Sequence, residues 1–309
     1  AKECGFPVML KASAGGGGKG MRIVWNEEEF VRNFPICRAE AESSFGNPDL
    51  YIEKYVEQPR HIEVQLVGDG KGEVIHLGER ECSIQRRHQK LLEESPSPAV
   101  DAELREKLTR AAIEGAKNIN YRSAGTIEFL LDVHKNFYFM EMNTRIQVEH
   151  PVTEMVTGID IVKEQLLLAL EGKLSVKQND VRMEGSSIEC RINAEDIYND
   201  FSPSPGTIEV FHPPGGPGVR LDTHIYARYK IPPFYDSMLA KLIVHGRTRE
   251  ESIARMRRAL GEFIIEGVET TIPLHRIIMD NEDFIAGNID THFLERLEIE
   301  KVESGKQRK

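Results

Sequence analysis

The chain is 309 residues long and carries 40 Lys and Arg residues against 50 Asp and Glu residues, for a formal net charge of −10 at pH 7. A chain of this length buries roughly three quarters of its unfolded surface, in about two or three domains. Its longest apolar run, Leu166–Leu170, is far shorter than the roughly 20 residues of a membrane span. An acidic chain without a block of Lys and Arg also attracts nucleic acid poorly. We therefore expect neither a membrane nor a nucleic acid as partner.

The four cysteines, Cys4, Cys37, Cys82 and Cys190, are scattered and include no C-x-x-C pair. This spacing indicates neither a zinc site nor a disulfide framework. The sequence opens at Ala1 and shows no signal peptide. We therefore expect a cytoplasmic protein, with a preceding part of the chain missing from this sequence.

Strand-like segments dominate the first part of the chain, with a helix between them. Asn26 comes three residues before Glu29, and this N-capping arrangement predicts a helix towards Ser44. The strands predicted here are Pro7–Ser13, Met21–Trp25, Tyr51–Val56, His61–Gly68 and Val74–Ser83.

The rest of the chain mixes helices and strands. Apolar residues at helical spacing predict an amphipathic helix over 102–119, and further helices are predicted over about 160–171 and, after a capping box, about 249–261. The strands predicted here are Ala124–Asp132, Asn136–Asn143, Ser187–Ala194 and Met238–His245. The mixture of strands and helices, with a break in the sequence pattern near 175–185, indicates an α+β protein of several lobes.

The loop Ser13-Ala-Gly-Gly-Gly-Gly-Lys-Gly20 invites three phosphate-binding interpretations, and two of them fail on context. A Walker A loop needs Ser or Thr after Gly-Lys and then a helix, whereas Lys19 is followed by Gly20 and a strand. The dinucleotide fingerprint must also open a helix. A strand–loop–strand hairpin remains, either folding over a triphosphate or forming a tip without a ligand. Lys11, on the strand before the loop, favours the nucleotide.

Polar side chains occupy alternate positions between residues 139 and 150, and an extended chain would place them on one face. Glu141 and Asn143 offer hard oxygen ligands for Mg²⁺, to which Glu128 on the preceding strand adds a carboxylate. Arg145 is suited to a small oxyanion, and Glu149 is the spare carboxylate available as a base. The full set on this face is Glu141, Asn143, Arg145, Gln147 and Glu149. An ordinary solvated strand face would instead favour Lys, Ser and Thr.

Two further basic features are ambiguous by themselves. The cluster Gln85–Lys90 follows a strand, and such clusters are more often solvated turns than sites. Arg191 lies within an alternating strand, where a lone Arg is usually a surface or ion-pair residue.

Taken together, these segments resemble a known family. The segments 6–20 and 139–146 resemble the two signatures shared by biotin carboxylases and carbamoyl-phosphate synthetases. The segments 79–90, 147–154 and 189–195 narrow the resemblance to biotin carboxylase, and the likeness runs from Ala1 to about Leu297.

The resemblance implies an α+β protein with an ATP-grasp fold, in which a glycine-loop lid and a larger antiparallel-sheet lobe are followed by the biotin carboxylase C-terminal domain. The implied divisions are a lid over 1–56, a large subdomain with the metal and bicarbonate site over 57–183, the C-terminal domain over 184–297 and a charged, frayed tail over 298–309. Family members carry a further α/β domain before the position of Ala1, so we expect this chain to lack its N-terminal domain.

The resemblance also implies roles for the matching positions. ATP binding is implied for Lys11, Gly17, Gly18, Glu53, Lys54, Tyr55, Val56, His61, Gln85, His88, Glu128 and Glu141. Bicarbonate binding is implied for Lys90, Arg145, Gln147 and the backbone of Val148. Binding of Mg²⁺ or Mn²⁺ is implied for Glu128, Glu141 and Asn143. The implied catalytic residues are Glu149 as the base, Arg191 at the biotin site and Arg145.

The implied reaction is the ATP-dependent carboxylation of biotin on a biotin carboxyl carrier protein, with bicarbonate activated as carboxyphosphate. This is the first half-reaction of acetyl-CoA carboxylase in fatty-acid synthesis, and a Met-Lys-Met biotinylation motif does not occur in the sequence. The implied partners are the carrier protein, carboxyltransferase subunits and, at full length, a second copy in a homodimer. Two alternatives stay open: the biotin carboxylase part of a pyruvate or propionyl-CoA carboxylase, and an inactive ATP-binding fragment.

Overall fold

The computed structural model describes residues 1–14 and 21–299. The chain folds as two compact units, Ala1–Glu57 and a second unit that begins at Gln58. The predicted phosphate contacts Gly17 and Gly18, and nearly all of the predicted frayed tail, lie outside the described residues. No helix within the two described ranges is both long and apolar enough to cross a membrane.

The first unit is a small antiparallel sheet with a helix packed on it. Its elements are β1 (Val8–Ala12), β2 (Met21–Val24), α1 (Glu27–Phe45) and β3 (Leu50–Lys54). Among the described residues, the strands lie in the order β2–β1–β3. Helix α1 begins where the capping pattern predicts, because Asn26 Oδ1 accepts a hydrogen bond from the backbone N–H of Glu29 at 2.9 Å. Buried Cys37 of α1 joins Val8 and Leu10 of β1 in the core.

A large antiparallel sheet forms the centre of the second unit. The strands of this unit are β4 (Arg60–Asp69), β5 (Val74–Arg86), β6 (Gln89–Ser95), β7 (Arg122–Leu131), β8 (Phe137–Asn143), β9 (Ser186–Asn193), β10 (Glu195–Asp196), β11 (Ser202–Pro203), β12 (Val210–His212), β13 (Val219–Thr223), β14 (Met238–Gly246) and β15 (Ile264–Glu266). Within the described residues, eight of them join in the order β13–β14–β9–β6–β5–β4–β7–β8. The remaining strands pair as β10 with β11 and β12 with β15.

Helices cover this sheet. They are α2 (Ala102–Asn118), α3 (His150–Thr157), α4 (Ile161–Glu171), α5 (Arg249–Glu262), α6 (Ile272–Asp280), α7 (Glu282–Ala286) and α8 (Phe293–Arg296), with a short 3₁₀ helix at Gln178–Asp180. The sequence pattern predicts α2, α4 and α5 and does not predict the others. Leu104 and Leu108 of α2 pack in one core with Ile62 of β4. Met256 of α5 and Ile278 of α6 belong to a second core that covers β9 and β14.

Strand β6 differs from the prediction, which treated Gln85–Lys90 as a turn after a strand. Arg87 and His88 have positive φ angles of 50° and 65° and turn the chain back into β6. Because the side chains of Glu93 and Glu94 on this strand are buried charges, an apolar pattern does not reveal it.

The extended face predicted between residues 139 and 150 is correct only as far as Asn143, where β8 ends. The following residues form turns, and Glu149 is the N-cap of α3, with Pro151 in its first turn. Proline is well tolerated there because the first helical N–H groups have no partner within the helix.

The change of sequence pattern near 175–185 falls between α4 and β9. The large sheet continues across this point, because β9 pairs with β6. The domain boundaries proposed from the sequence stay a prediction.

Candidate active site

The register of the large sheet aligns charged residues from four neighbouring strands. Glu63 of β4 lies opposite Arg80 of β5 on one side and opposite Glu128 of β7 on the other. Glu128 in turn lies opposite Glu141 of β8. Side chains that are directly opposite in adjacent strands share a face of the sheet, so these four groups form one row.

Lys90, the second residue of β6, is the cation at the centre of the site. Its Nζ lies 2.6 Å from Glu63 Oε2, 2.9 Å from Glu128 Oε1 and 2.6 Å from Glu149 Oε1. Burial alone would lower the pKa of Lys90, but the surrounding carboxylates, Glu63 foremost, raise it well above its ordinary value. The ammonium group is therefore held charged by three acids from three different elements.

Arg80 is a second buried cation, and its side chain is fully inaccessible to solvent. Its Nε donates to Glu63 Oε1 at 2.5 Å, and its Nη2 donates to Gln147 Oε1 at 3.0 Å. Burial would raise the pKa of Glu63, but Arg80 and Lys90 lower it to about 2. Because Gln147 Nε2 donates to Glu128 Oε1 at 2.7 Å, Arg80 orients the amide that supports the metal-ligand candidate.

The three predicted metal ligands lie together. Asn143 Nδ2 donates to Glu128 Oε1 at 3.0 Å and to Glu141 Oε1 at 3.2 Å. Glu128 is buried and Glu141 is exposed, so the group opens from the interior to solvent. Burial would raise the pKa of Glu128, but His61 and Lys90 lower it well below its ordinary value.

The hydrogen-bonding roles of the two His61 ring nitrogens follow from its neighbour Gln85. Gln85 Nε2 donates to the carbonyl oxygen of Cys82 at 2.8 Å, which identifies this atom as the amide nitrogen. The same nitrogen lies 2.8 Å from His61 Nδ1, which must therefore accept. The ring proton is then on Nε2, 3.0 Å from Glu128 Oε2.

Glu149 lies between two cations at the start of α3. Its side chain is buried and makes no capping hydrogen bond to the helix. Its Oε1 faces Lys90, and its Oε2 accepts from Arg191 Nη2 at 2.9 Å. The backbone carbonyl of the preceding Val148 accepts from Lys241 Nζ at 2.9 Å, which fixes the turn that presents Glu149.

Arg191 connects β9 to both sides of this cluster. Its Nε donates to Glu93 Oε1 of β6 at 2.6 Å, and its Nη2 reaches Glu149. Its backbone carbonyl accepts from Thr271 Oγ1 at 2.9 Å and from His275 Nε2 at 2.8 Å. Arg191 is therefore a partly buried ion-pair residue inside the cluster and not an isolated surface residue.

Two predicted site residues of the second unit lie outside this hydrogen-bonded cluster. Arg145 is exposed, and in the described part of the chain its Nη1 donates to the carbonyl oxygen of Ile146 at 3.2 Å. His88 is exposed at the turn between β5 and β6. The structure therefore does not bring either side chain to Glu149.

The predicted residues of the first unit form contacts of their own. Lys11 Nζ lies 2.5 Å from Glu53 Oε2, and Lys54 Nζ donates to the carbonyl oxygen of Gly5 at 3.0 Å. The ring of Tyr55 packs edge-on against Trp25, with 5.9 Å between the ring centroids. Val56 is buried.

Sequence reasoning missed several charged residues of the cluster: Glu63, Arg80, Glu93 and Lys241. One signal was available, because His61, Glu63 and Gln65 alternate within a predicted strand and so share a polar face. The others depend on which strands pair and in which register, and alternation within one segment does not reveal that.

Comparison with known proteins identifies the family. Residues 1–177 match the model of the ATP-binding domain of the carbamoyl-phosphate synthase L chain, and residues 189–296 match that of the biotin carboxylase C-terminal domain. Biotin carboxylase 1 of Bacillus subtilis is 57% identical over 300 residues, which cover 97% of this chain and 67% of the relative. This chain belongs to the biotin carboxylase family. A pyruvate carboxylase subunit from Methanothermobacter thermautotrophicus is 56% identical over 295 residues, covering 96% of this chain and 60% of the relative.

A solved structure of the same family confirms the fold. The biotin carboxylase domain of Hydrogenobacter thermophilus 2-oxoglutarate carboxylase is 53% identical, with a TM-score of 0.87 over 97% of this chain and 67% of that chain. That structure is a dimer in complex with MgADP, ADP and bicarbonate. The predicted ATP-grasp fold followed by the biotin carboxylase C-terminal domain is therefore confirmed. The chain spans about two thirds or less of the length of these relatives.

Proposed function

We propose that this chain carries the site of an ATP-dependent ligase that carboxylates biotin, using bicarbonate activated as carboxyphosphate. The observation that supports this function best is the position of Glu149, a buried carboxylate held by Lys90 and Arg191. Lys90 in turn contacts Glu128, the buried member of the metal-ligand group. A base, an anion-binding cation and a divalent-metal site thus lie within one network.

The residues Glu128, Glu141 and Asn143 fit a hard divalent cation, because two carboxylates and an amide oxygen are ligands of the kind that Mg²⁺ and Mn²⁺ prefer. The amide of Asn143 already holds the two carboxylates together. When bound, such an ion neutralises charge on the phosphate oxygens during phosphoryl transfer.

Bicarbonate is the substrate that we assign to Lys90, Arg145, Gln147 and the backbone of Val148. Lys90 supplies a buried positive charge for the anion, and Arg80 orients Gln147 beside it. Glu149 accepts the proton of bicarbonate, and the resulting anion attacks the γ-phosphate of ATP, which displaces ADP and gives carboxyphosphate. Exposed Arg145 must turn from its contact with the Ile146 carbonyl to reach the anion.

Carboxyphosphate then breaks down to CO₂ and phosphate, and biotin accepts the CO₂. The ureido N–H of biotin is a weak acid, so its deprotonation needs both a base and a stabilised anion. We assign the first task to the released phosphate and the second to Arg191, whose guanidinium is fixed next to Glu149.

The nucleotide residues of the first unit remain part of the proposal. Lys11, paired with Glu53 on the neighbouring strand, is assigned to phosphate. Gly17 and Gly18 are assigned to the same phosphates, and the segment Glu53–Val56 is assigned to adenine. His61, Gln85 and His88 of the second unit are assigned to ATP binding.

For the whole protein, we infer the first half-reaction of acetyl-CoA carboxylase, with a biotin carboxyl carrier protein, carboxyltransferase subunits and a homodimer. The same site chemistry serves pyruvate carboxylases, and one component of such an enzyme is as similar to this chain as biotin carboxylase 1 is. Proteins that co-purify with the natural protein, identified by mass spectrometry, separate the two assignments. Recovery of the other components of a pyruvate carboxylase would contradict the acetyl-CoA assignment.

The reaction itself is tested with the natural, full-length protein, ATP, Mg²⁺ and ¹⁴C-bicarbonate. We expect ATP cleavage that depends on bicarbonate, and transfer of label to free biotin that depends on ATP. Omission of bicarbonate and heat-inactivated protein are the controls. Nucleotide binding without transfer of label would contradict the proposed function and favour a non-catalytic ATP-binding protein.

A further inference from the structure

Two buried acids lie behind Arg191, and the proposed reaction does not use either of them. Glu93 of β6 lies directly opposite Glu189 of β9, and both side chains are fully inaccessible to solvent. Directly opposed side chains of an antiparallel pair have Cβ atoms about 5 Å apart, so the two carboxyl groups lie within reach of each other.

Only one of the four carboxyl oxygens of Glu93 and Glu189 has a hydrogen-bond donor among the described residues. Glu93 Oε1 accepts from Arg191 Nε at 2.6 Å. In the described part of the chain, no N–H or hydroxyl group donates to the other three oxygens, namely Glu93 Oε2 and both oxygens of Glu189. Buried oxygens of an ionised carboxylate are costly without donors, so two neighbouring anions do not account for this arrangement.

The charged groups on the elements that surround Glu189 do not provide it with a hydrogen-bond donor. The guanidinium of Arg191 is already shared by Glu93 and Glu149, the N-cap of α3. Lys241 of β14 donates to the Val148 carbonyl at 2.9 Å and lies 3.5 Å from Asp222 Oδ2. Burial and Glu93 raise the pKa of Glu189 well above its ordinary value, and the opposite effects of Lys241 and Arg191 do not offset this.

We propose that Glu189 is a neutral carboxylic acid that donates its O–H to Glu93 Oε2, and that the pair thereby holds Arg191 with a single negative charge. The proton satisfies the unpartnered oxygen of Glu93 and one oxygen of Glu189. Glu93 remains the anion because it is the member bonded to Arg191. Glu189 is thus a positioning residue that acts on Arg191 through Glu93.

The consequence for catalysis rests on the proposed function. Without the donor, Glu93 loses a hydrogen bond that stabilises its charge and takes up a proton more readily, which weakens its hold on Arg191. Lys90 still holds Glu149 through its other oxygen. We therefore expect the loss to fall on the biotin step and to spare the cleavage of ATP.

The protonation of Glu189 is tested by infrared difference spectroscopy on the natural protein and its Glu189→Gln variant near neutral pH. We expect the wild type to show the carbonyl stretch of a protonated carboxylic acid, sensitive to exchange into D₂O, and the variant to lack it. Glu94→Gln is the matched control, because Glu94 is equally buried on the same strand but accepts from Arg249 at 2.6 Å. A difference spectrum that shows loss of an ionised carboxylate at Glu189 would overturn the proposal.

Kinetics then test the positioning role. We expect Glu189→Leu to lower kcat/KM for biotin about tenfold and to change bicarbonate-dependent ATP cleavage less than about twofold. Glu189→Gln, whose amide N–H₂ replaces the donor, should recover most of the loss. Equal losses in the Leu and Gln variants would overturn the role, as would equal losses in both half-reactions.

The two hypotheses fail in different ways. If the wild type carboxylates no biotin, the proposed function is wrong, and the infrared result still decides the protonation of Glu189. If Glu189→Leu does not fold, the spectroscopy and the Gln variant decide the proposal.

Discussion

The two units each contain a lysine paired with glutamate, and the pairs differ in their surroundings. Lys11 lies 2.5 Å from Glu53, with side chains that are 24% and 44% exposed. Lys90 lies against three carboxylates that are at most 5% exposed and is itself 13% exposed. An exposed pair contributes little to stability, whereas removing one member of a buried network leaves an unpaired charge. The first lysine is therefore free to exchange its partner for a ligand, whereas three carboxylates hold the second in place at the position that we assign to bicarbonate.

The largest expected effect comes from removing the base of the buried network. We expect Glu149→Gln to lower bicarbonate-dependent ATP cleavage about 10²–10⁴-fold, because the amide cannot accept the proton of bicarbonate. Initial rates of ATP cleavage with and without bicarbonate measure the effect. Glu103→Gln, on the exposed face of α2, is the control. Activity of Glu149→Gln within twofold of the wild type would remove Glu149 from the mechanism.

The buried network around Lys90 is tested most directly by a substitution of Arg80. Arg80→Met leaves Glu63 facing Lys90 alone and frees Gln147, so we expect the free energy of unfolding to fall by about 3–5 kcal/mol. Urea unfolding followed by circular dichroism measures this difference. Arg110→Met, at an exposed pair within α2, should change it by less than about 0.5 kcal/mol. Equal effects of the two variants would mean that burial does not distinguish the pairs.

His275, whose ring bonds to the backbone carbonyl of Arg191, should make the free energy of unfolding depend on pH. Burial lowers the pKa of His275 from 6.5 to about 4, so the unfolded chain binds a proton more readily than the folded one. The stability from this group is therefore fully present above pH 6.5 and is lost as the pH falls towards 4, by about 3 kcal/mol in total. His275→Gln should lose much of this dependence, measured by urea unfolding at pH 7.5 and pH 4.5. His292→Gln, at an exposed histidine, should retain it.

The smallest effect on stability is expected at the exposed pair. Lys11→Gln should change the free energy of unfolding by less than about 1 kcal/mol, because Glu53 remains hydrated when its partner is removed. The same variant should weaken binding of Mg-ATP in isothermal titration, since one cationic contact to phosphate is lost. A large loss of stability without weaker binding would show that Lys11 is a structural residue like Arg80.

The sequence pattern predicted residue types near the site better than it predicted backbone conformation. The sequence predicts Glu141 and Asn143 on one strand, and the structure confirms that strand; the Asn143 amide donates to both Glu141 and Glu128. Glu149 also reaches the network, but as a helix N-cap, because the extended chain ends at Asn143.

Register explains what the sequence pattern did not reveal. The contact between Arg80 and Glu63 depends on the pairing of β4 with β5, and that between Arg191 and Glu93 on the pairing of β6 with β9. Residues 98 positions apart in the second case carry no local signal of their contact. Arg80 and Glu93 also look like ordinary surface charges, because their burial depends on the helices that cover the sheet.

The pairing of β6 with β9 also has a consequence for how such proteins are inherited and recombined. β6 belongs to the segment that matches one family model, and residues 189–193 of β9 belong to the segment that matches the other. Backbone hydrogen bonds join the two strands from Leu92 to Ser95. A recombination event that exchanges only one segment places a foreign side chain opposite Glu93 or opposite Glu189. Chimaeras between relatives should therefore be more stable when the facing residues of β6 and β9 come from the same parent than when they do not.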